Sequence, residues 1–154
     1  MIPKKMILLA GGGLILVLIF AYFIAVNENK SAAGEITVGA APCLAKNKPL
    51  IQHIHPILKI FVDGQPEKIT PDIGLSYDCE KVLHTHDDTG ELHVESQDYR
   101  LYTLGNFFEV WKKSFQREGF SLKATTDGQE IADPDRIILK DKEEIILNYF
   151  LIQN

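Results

Sequence analysis

The first pattern of hydrophobic and polar positions along the chain is one unbroken apolar run. Met6–Val26 reads MILLAGGGLILVLIFAYFIAV and contains no charged residue. About 20 apolar residues are enough to span a bilayer as a helix. Lys4 and Lys5 precede the run, and positive charge favours the cytoplasmic side. We therefore predict a cytoplasmic N-terminus at residues 1–5, a transmembrane anchor at residues 6–26 and export of the rest.

A cleaved signal peptide is the alternative interpretation of this run. The apolar region of a signal peptide is normally shorter, which favours the anchor. Ser31, Ala32 and Ala33 could still form a cleavage site before Gly34. Both interpretations place the remaining chain outside the cytoplasm.

A change of composition follows the apolar run. Residues 27–51 are rich in Ala, Gly, Asn, Lys and Pro, which is typical of a linker. Residues 52–154 alternate between apolar and polar positions and are long enough for one small domain. The predicted organisation is therefore anchor, linker and one extracytoplasmic domain.

Strand and turn patterns open this domain. Ile57–Val62 is an apolar run, and Asp63 and Gly64 after it form a strong hairpin signal. A second strand is predicted from Gln65 to Ile69. Pro66 lacks a backbone N–H, so this strand belongs at an edge of a sheet.

A helix is predicted after Thr103, a favourable N-cap residue. The apolar residues that follow recur at helical spacing and predict an amphipathic helix of about 13 residues. These are Leu104, Phe107, Phe108, Val110, Trp111 and Phe115.

The C-terminal third predicts strands again. Phe120–Ala124 alternates, and Asp127 and Gly128 mark a turn. Ile137–Leu139 and Ile145–Leu147 predict a final strand pair. The whole is an α+β fold, a mixed sheet with one packed helix. The order of hairpin, insertion, helix and strands suggests a ubiquitin-like β-grasp.

The net negative charge of the predicted exported part disfavours one class of partner. Without Lys4 and Lys5 the chain has 14 basic and 21 acidic residues, a net charge of −7, and no Lys/Arg cluster. Nucleic-acid binding requires a basic footprint, so nucleic acid is not an expected partner.

The main candidate chemistry lies in the histidines, all of which fall between positions 53 and 93. They form two H-x-H pairs and one H-x-E, and residues two apart on a strand share a face. Imidazole, thiolate and carboxylate are ligands that suit zinc and copper. The predicted metal ligands are His84, His86 and His93, followed by His53, His55 and Cys79, with Asp87 in support.

Two of these assignments have alternatives. Cys79 could be a thiolate ligand, or it could form a disulfide with Cys43, since exported proteins permit disulfides. Asp87 or Asp88 could be a fourth ligand, or could receive a ring N–H from a ligating histidine.

The motifs around these residues resemble a known group of proteins. They are H-x-H-P-x-L-x-I at 53–60, L-H-T-H-D-x-T-G-x-L-H-V-E-S at 83–96 and T-L-G-x-F-F-x-V-W at 103–111. The chain resembles a family of largely uncharacterised prokaryotic proteins that have an N-terminal membrane segment and an extracytoplasmic domain. This resemblance implies that the histidine segment is an integral part of the domain, and it implies nothing further about chemistry.

The predicted function is therefore a membrane-anchored extracytoplasmic domain that binds zinc or copper without being an enzyme. One alternative is a metal-dependent or cysteine-dependent enzyme of the cell surface. Another is a structural or interaction module for a membrane partner, in which the histidines only stabilise loops. A closed set of four ligands would favour the metal-binding domain, and an open cleft beside the histidines would favour the enzyme. Scattered histidine side chains would favour the interaction module.

Overall fold

The computed structural model describes residues 35–36 and 41–153. The predicted N-terminus (1–5), the predicted anchor (6–26) and the first part of the predicted linker lie outside them. Within the described ranges, no helix is long and apolar enough to cross a membrane. Residues 34–154 belong to one compact unit.

The described part of that unit is a small α+β domain with a mixed sheet and one α-helix, as the sequence predicts. In chain order its strands are β1 (Glu35–Ile36), β2 (Gln52–Ile54), β3 (Ile57–Val62), β4 (Gln65–Glu67), β5 (Leu83–His84), β6 (His93–Ser96), β7 (Arg100–Leu101), β8 (Phe120–Thr126), β9 (Gln129–Ile131) and β10 (Glu144–Leu151). The helix α1 is Leu104–Trp111, and a 3-10 turn is Pro134–Arg136.

The main sheet has five strands in the order β4-β3-β10-β8-β9. The central strand β10 is parallel to its neighbour β3, and every other neighbouring pair is antiparallel. Leu58 and Ile60 of β3 and Ile145 and Leu147 of β10 are fully buried. They belong to the same core cluster as the buried residues of α1.

Both predicted Asp-Gly turns close hairpins of this sheet. Asp63 and Gly64 join β3 to β4, and Asp127 and Gly128 join β8 to β9, all with positive φ. Two-residue turns with positive φ match the twist of paired strands, and Asp-Gly adopts them readily. β4 is an edge strand, as Pro66 predicts.

The predicted pairing of the last two segments is wrong, although Ile145–Leu147 does lie in a strand, β10. Ile137–Leu139 does not pair with β10, because both edges of β10 are occupied by β3 and β8. It lies instead beside the start of α1, where the Leu104 N–H donates to the Ile137 carbonyl at 2.8 Å. Ile137 and Leu139 are buried there. Their apolar character reflects this packing.

The helix begins as predicted and ends early. The Thr103 side chain caps α1 by accepting from the Asn106 N–H. α1 has 8 residues, because Lys112 takes a left-handed φ of 60° and stops it. Phe115 lies beyond the helix, and its ring still stacks on Phe108 with centroids 3.9 Å apart.

A three-stranded antiparallel sheet has the order β2-β6-β5. Its strand β2 precedes β3 in sequence, whereas β5 and β6 lie between β4 and α1. Its central strand pairs Val94 with Ile54 on one side and with Leu83 on the other. Leu83 and Val94 are fully buried. One face of this sheet therefore belongs to the core, and alternation turns the intervening residues to the opposite face.

The last part of the predicted linker packs on the domain. Ala41 is buried, and Cys43 forms a disulfide with Cys79. The Leu44 N–H donates to the Glu80 carbonyl at 2.7 Å. Residues 41–44 are therefore fixed to the segment that precedes β5.

Candidate metal centre

The outer face of the three-stranded sheet carries all five histidines of the chain. Register pairs His84 with His93 across β5 and β6, and His53 with Glu95 across β2 and β6. Neighbouring strands lie about 4.8 Å apart, so side chains that face each other across them are in contact. Residues that are distant in sequence are thereby gathered around His93, at the centre.

One group of histidines lies on the β5 side of this face. His84 and His93 have ring centroids 5.1 Å apart, His84 and His86 4.9 Å, and His86 and His93 4.5 Å. One potential ligand atom from each lies within 4.8 Å of the others. These are the three residues that the sequence ranks first as ligands, and we call them the inner triad.

A second group lies on the β2 side. His53 and His55 have ring centroids 4.6 Å apart, and His55 and His93 4.7 Å. Ligand atoms of His53, His55 and His93 also lie within 4.8 Å of one another. We call this group the outer triad, because His53 and His55 are more exposed to solvent than His84, with 49% and 33% of their side chains accessible.

His84 is held in the form that a metal requires. Its ring is fully buried, and its Nδ1 lies 2.8 Å from the Lys81 carbonyl oxygen. A carbonyl can only accept, so Nδ1 carries the proton and Nε2 keeps its lone pair. Nε2 is buried without a hydrogen-bond partner. An unsatisfied buried polar atom costs roughly 1–3 kcal/mol, and a bound cation would remove that cost.

Neither ring nitrogen of His93 makes a hydrogen bond of normal length. Nδ1 is buried without a hydrogen-bond partner and lies 3.6 Å from Glu95 Oε1. Nε2 lies 3.5 Å from Glu91 Oε1. Both separations exceed normal hydrogen-bond lengths, so both nitrogens are free to bind something else.

Two carboxylates that the predicted ligand set omits border the histidines. Glu95 is mostly buried, and its Oε1 lies 3.1 Å from His53 Nε2. Glu80 Oε1 lies 3.6 Å from His84 Nε2, and Glu80, His84 and Glu95 offer ligand atoms within 4.8 Å of one another. The H-x-E spacing of His93 and Glu95 is a local signal for Glu95. Glu80 comes from a loop and has no such signal.

Cys79 does not belong to the ligand set. Its sulfur is bonded to Cys43, so it offers no thiolate. The sequence left this alternative open, because pairing depends on the 5.3 Å separation of the two Cα atoms, which no local pattern shows.

Asp87 has a local role in the turn after His86. Its Oδ1 accepts from the backbone N–H and the hydroxyl of Thr89, and these bonds lower the pKa of Asp87. It therefore orders the loop and does not receive a histidine ring N–H. Asp88 forms an ion pair with Lys68.

Electrostatics favours neutral imidazoles at the centre of the cluster. Burial lowers the pKa of His84, although the Lys81 carbonyl opposes the shift. Burial also lowers the pKa of His93, and the neighbouring histidines His84, His86 and His55 lower it further. Metal ligation requires the neutral form, so both rings are ready to bind near neutral pH.

These shifts predict how stability depends on pH in the metal-free domain. A histidine whose pKa is lowered by folding binds fewer protons when folded than when unfolded. Stability is therefore complete above about 6.5, the unfolded value, and falls as pH drops toward the folded pKa values. The slope is at most about 1.4 kcal/mol per pH unit for each group. Denaturant unfolding of residues 34–154 in a chelator should show this fall between about pH 6.5 and 5.

His84→Gln serves as the matched variant for this measurement, because it removes one of the two rings whose pKa is lowered by folding. Its slope in that pH window should be smaller than that of the unaltered domain. An equal slope would mean that His84 does not carry the effect.

Together these groups form a cluster of imidazole nitrogens with carboxylates at its margin, which could hold a metal ion. Comparison of the chain with protein-family models, with curated proteins and with solved structures found no match.

Proposed function

We propose that this domain binds a transition metal ion, zinc or copper, outside the cytoplasm and without catalysing a reaction. One observation carries the proposal. The fully buried His84 ring presents an unpartnered Nε2, and His86 and His93 bring their ligand atoms within 4.8 Å of it. Three imidazole nitrogens close together are the arrangement that a metal site needs.

The donor set supports zinc or copper over harder cations. Imidazole nitrogen suits zinc and copper, whereas magnesium and calcium prefer oxygen ligands. Glu80 or Glu95 can add one carboxylate oxygen to the inner triad, since both border His84. Three histidines and a carboxylate form a four-coordinate shell of the kind that zinc adopts.

The other two interpretations have less support. A cysteine-dependent enzyme needs a free thiolate, and both cysteines are in the disulfide. An interaction module with loop-stabilising histidines would leave these side chains scattered, and here they meet on one face. A metal-dependent enzyme keeps one observation in its favour, a groove beside the cluster that Glu80 and Glu95 line.

The location and topology of the domain are part of the proposal. A disulfide between Cys43 and Cys79 supports an oxidising compartment, which agrees with an anchor at residues 6–26. The strand order β4-β3-β10-β8-β9, with the helix after the first hairpin, supports a ubiquitin-like β-grasp. Strands β5 and β6 of the histidine sheet are then an insertion into that fold, and β2 is an extension that precedes it.

Metal analysis of the full chain, purified in detergent without a histidine tag, tests this proposal. We expect at least one zinc or copper ion per chain after loading and dialysis. Calorimetry of the chelator-treated chain at pH 7.5 should give a Kd tighter than about 100 μM, equivalent to roughly −5.5 kcal/mol. Weaker binding of both metals would overturn the proposed function.

A further inference from the structure

We propose that the histidine face holds two metal ions side by side and that His93 is a ligand shared by both. The inference rests on the proposed function and deepens it, because it assigns a second position to residues outside the inner triad. His53 and His55 would hold the second ion with His93.

The placement of the strands argues for two positions. The inner triad takes its other two histidines from β5 and the turn after it, and the outer triad takes them from β2 and its continuation. β2 and β5 lie on opposite sides of β6, so they are about 10 Å apart. The nitrogens of one ion, each about 2.0–2.1 Å from it, lie within roughly 4 Å of one another. Histidines from β2 and from β5 are therefore more easily accommodated on two separate ions, one on each side of His93, than on a single ion.

The two nitrogens of His93 suit such a shared role. His84 has only Nε2 to offer, because its Nδ1 donates to the Lys81 carbonyl. His93 has no hydrogen bond at the buried Nδ1, and its Nε2 has only the Glu91 carboxylate nearby, at 3.5 Å. Neutral imidazole carries one N–H proton. Binding of the second ion would release that proton to solvent, and the resulting imidazolate would bond one ion through each nitrogen.

The carboxylates are distributed between the two positions. Glu80 lies beside the inner triad, 3.6 Å from His84 Nε2. Glu95 lies 3.1 Å from His53 Nε2, in the outer triad. Two adjacent divalent ions repel each other strongly, and one carboxylate for each, with an anionic bridge between them, offsets that repulsion.

The two positions should differ in affinity. The inner triad contains the fully buried His84, whose ring is fixed by a hydrogen bond. The outer triad has no member buried in this way, since His53 and His55 are partly exposed. His86 of the inner triad is also exposed, so the difference between the triads rests on His84. A prearranged ligand loses less conformational freedom on binding, so the inner position should fill first and release its ion last.

Native mass spectrometry of the untagged full chain in detergent, titrated with zinc at pH 7.5, tests the inference. We expect two zinc ions per chain. His53→Ala/His55→Ala should bind one, and so should His84→Ala/His86→Ala. His93→Ala should weaken both steps by at least about 10-fold, the lower end of what loss of a supporting partner costs. Lys123→Ala, at an exposed residue of β8, should still bind two.

The outcomes separate the inference from the proposed function. One zinc ion per unaltered chain would overturn the shared site and leave metal binding intact. No zinc or copper binding would overturn both. Two zinc ions with a His93→Ala variant that loses one step or neither would show that His93 is not shared.

A second experiment uses only the unaltered chain, so it still tests the inference if the variants fail to fold. Two copper(II) ions joined by one imidazolate couple antiferromagnetically, so the electron paramagnetic resonance signal per copper should fall as the second equivalent is added. Full signal from both coppers would overturn the bridge.

Discussion

His84→Ala should weaken the tighter zinc- or copper-binding step by about 100-fold or more, because the variant loses a ligand, and even supporting residues cost 10–100-fold. The ring is fully buried and its proton is fixed by the Lys81 carbonyl, so no other side chain can take its place without rearrangement. Calorimetry of residues 34–154 with zinc and with copper at pH 7.5 measures the change. Lys123→Ala, at an exposed position, is the control and should leave the affinity unchanged.

The same variant separates loss of a ligand from loss of the fold. An ion that binds only the folded state stabilises it by about 2.7 kcal/mol at 100 times its Kd. The unaltered domain should therefore unfold at a higher temperature when zinc is added. The shift should largely disappear in His84→Ala. Without metal, the variant leaves a cavity but also removes an unsatisfied buried nitrogen, so the two effects partly offset each other.

Combined changes test whether the inner triad acts as a unit. Residues that share one ion do not contribute additively. His84→Ala/His86→Ala should therefore weaken the tighter step little beyond the worse single variant. Unchanged affinity in His84→Ala, or strictly additive losses in the double variant, would contradict a site built on the inner triad.

Local patterns were enough to predict much of this architecture. Asp63 and Asp127 precede glycines in turns whose positive φ depends on those residue types alone. The period of two in each H-x-H pair was enough to predict that its two rings share a face. Thr103 was enough to place the start of α1, since capping is also a local interaction.

Features that depend on distant parts of the chain were not predictable in this way. The meeting of His53 with His93 requires that β2 pair with β6, and a register slip of one residue would turn its histidines to the core. Ile137–Leu139 has the composition of a strand, but β10 has no free edge for it. Glu80 joins the site only because its loop is fixed beside β5. The disulfide between Cys43 and Cys79 was not predictable for the same reason, because it depends on the distance between the two residues in the fold.

The second prediction with a large expected effect concerns the disulfide and the free energy of unfolding. Cys43 and Cys79 are separated by 36 positions, and closing a loop of that length stabilises a domain by about 4 kcal/mol through the entropy of the unfolded chain. Cys43→Ser/Cys79→Ser should lower the free energy of unfolding by this order. Denaturant unfolding of residues 34–154 in a chelator, with and without a reductant, measures the loss. The reductant should affect the unaltered domain and leave the double variant unchanged.

The double serine variant also discriminates between the two roles that the sequence allows for Cys79. The disulfide holds residues 41–44 against the segment that supplies Glu80 and the Lys81 carbonyl, and the Val82 N–H donates to the Pro42 carbonyl at 3.0 Å. Loosening that segment should reduce the pre-orientation of His84, so metal affinity should fall by about 10-fold, the size expected for a supporting contact. Thiol titration of the unaltered, unfolded domain should find no free thiol. Two free thiols, together with a loss of affinity as large as that of His84→Ala, would instead make Cys79 a ligand.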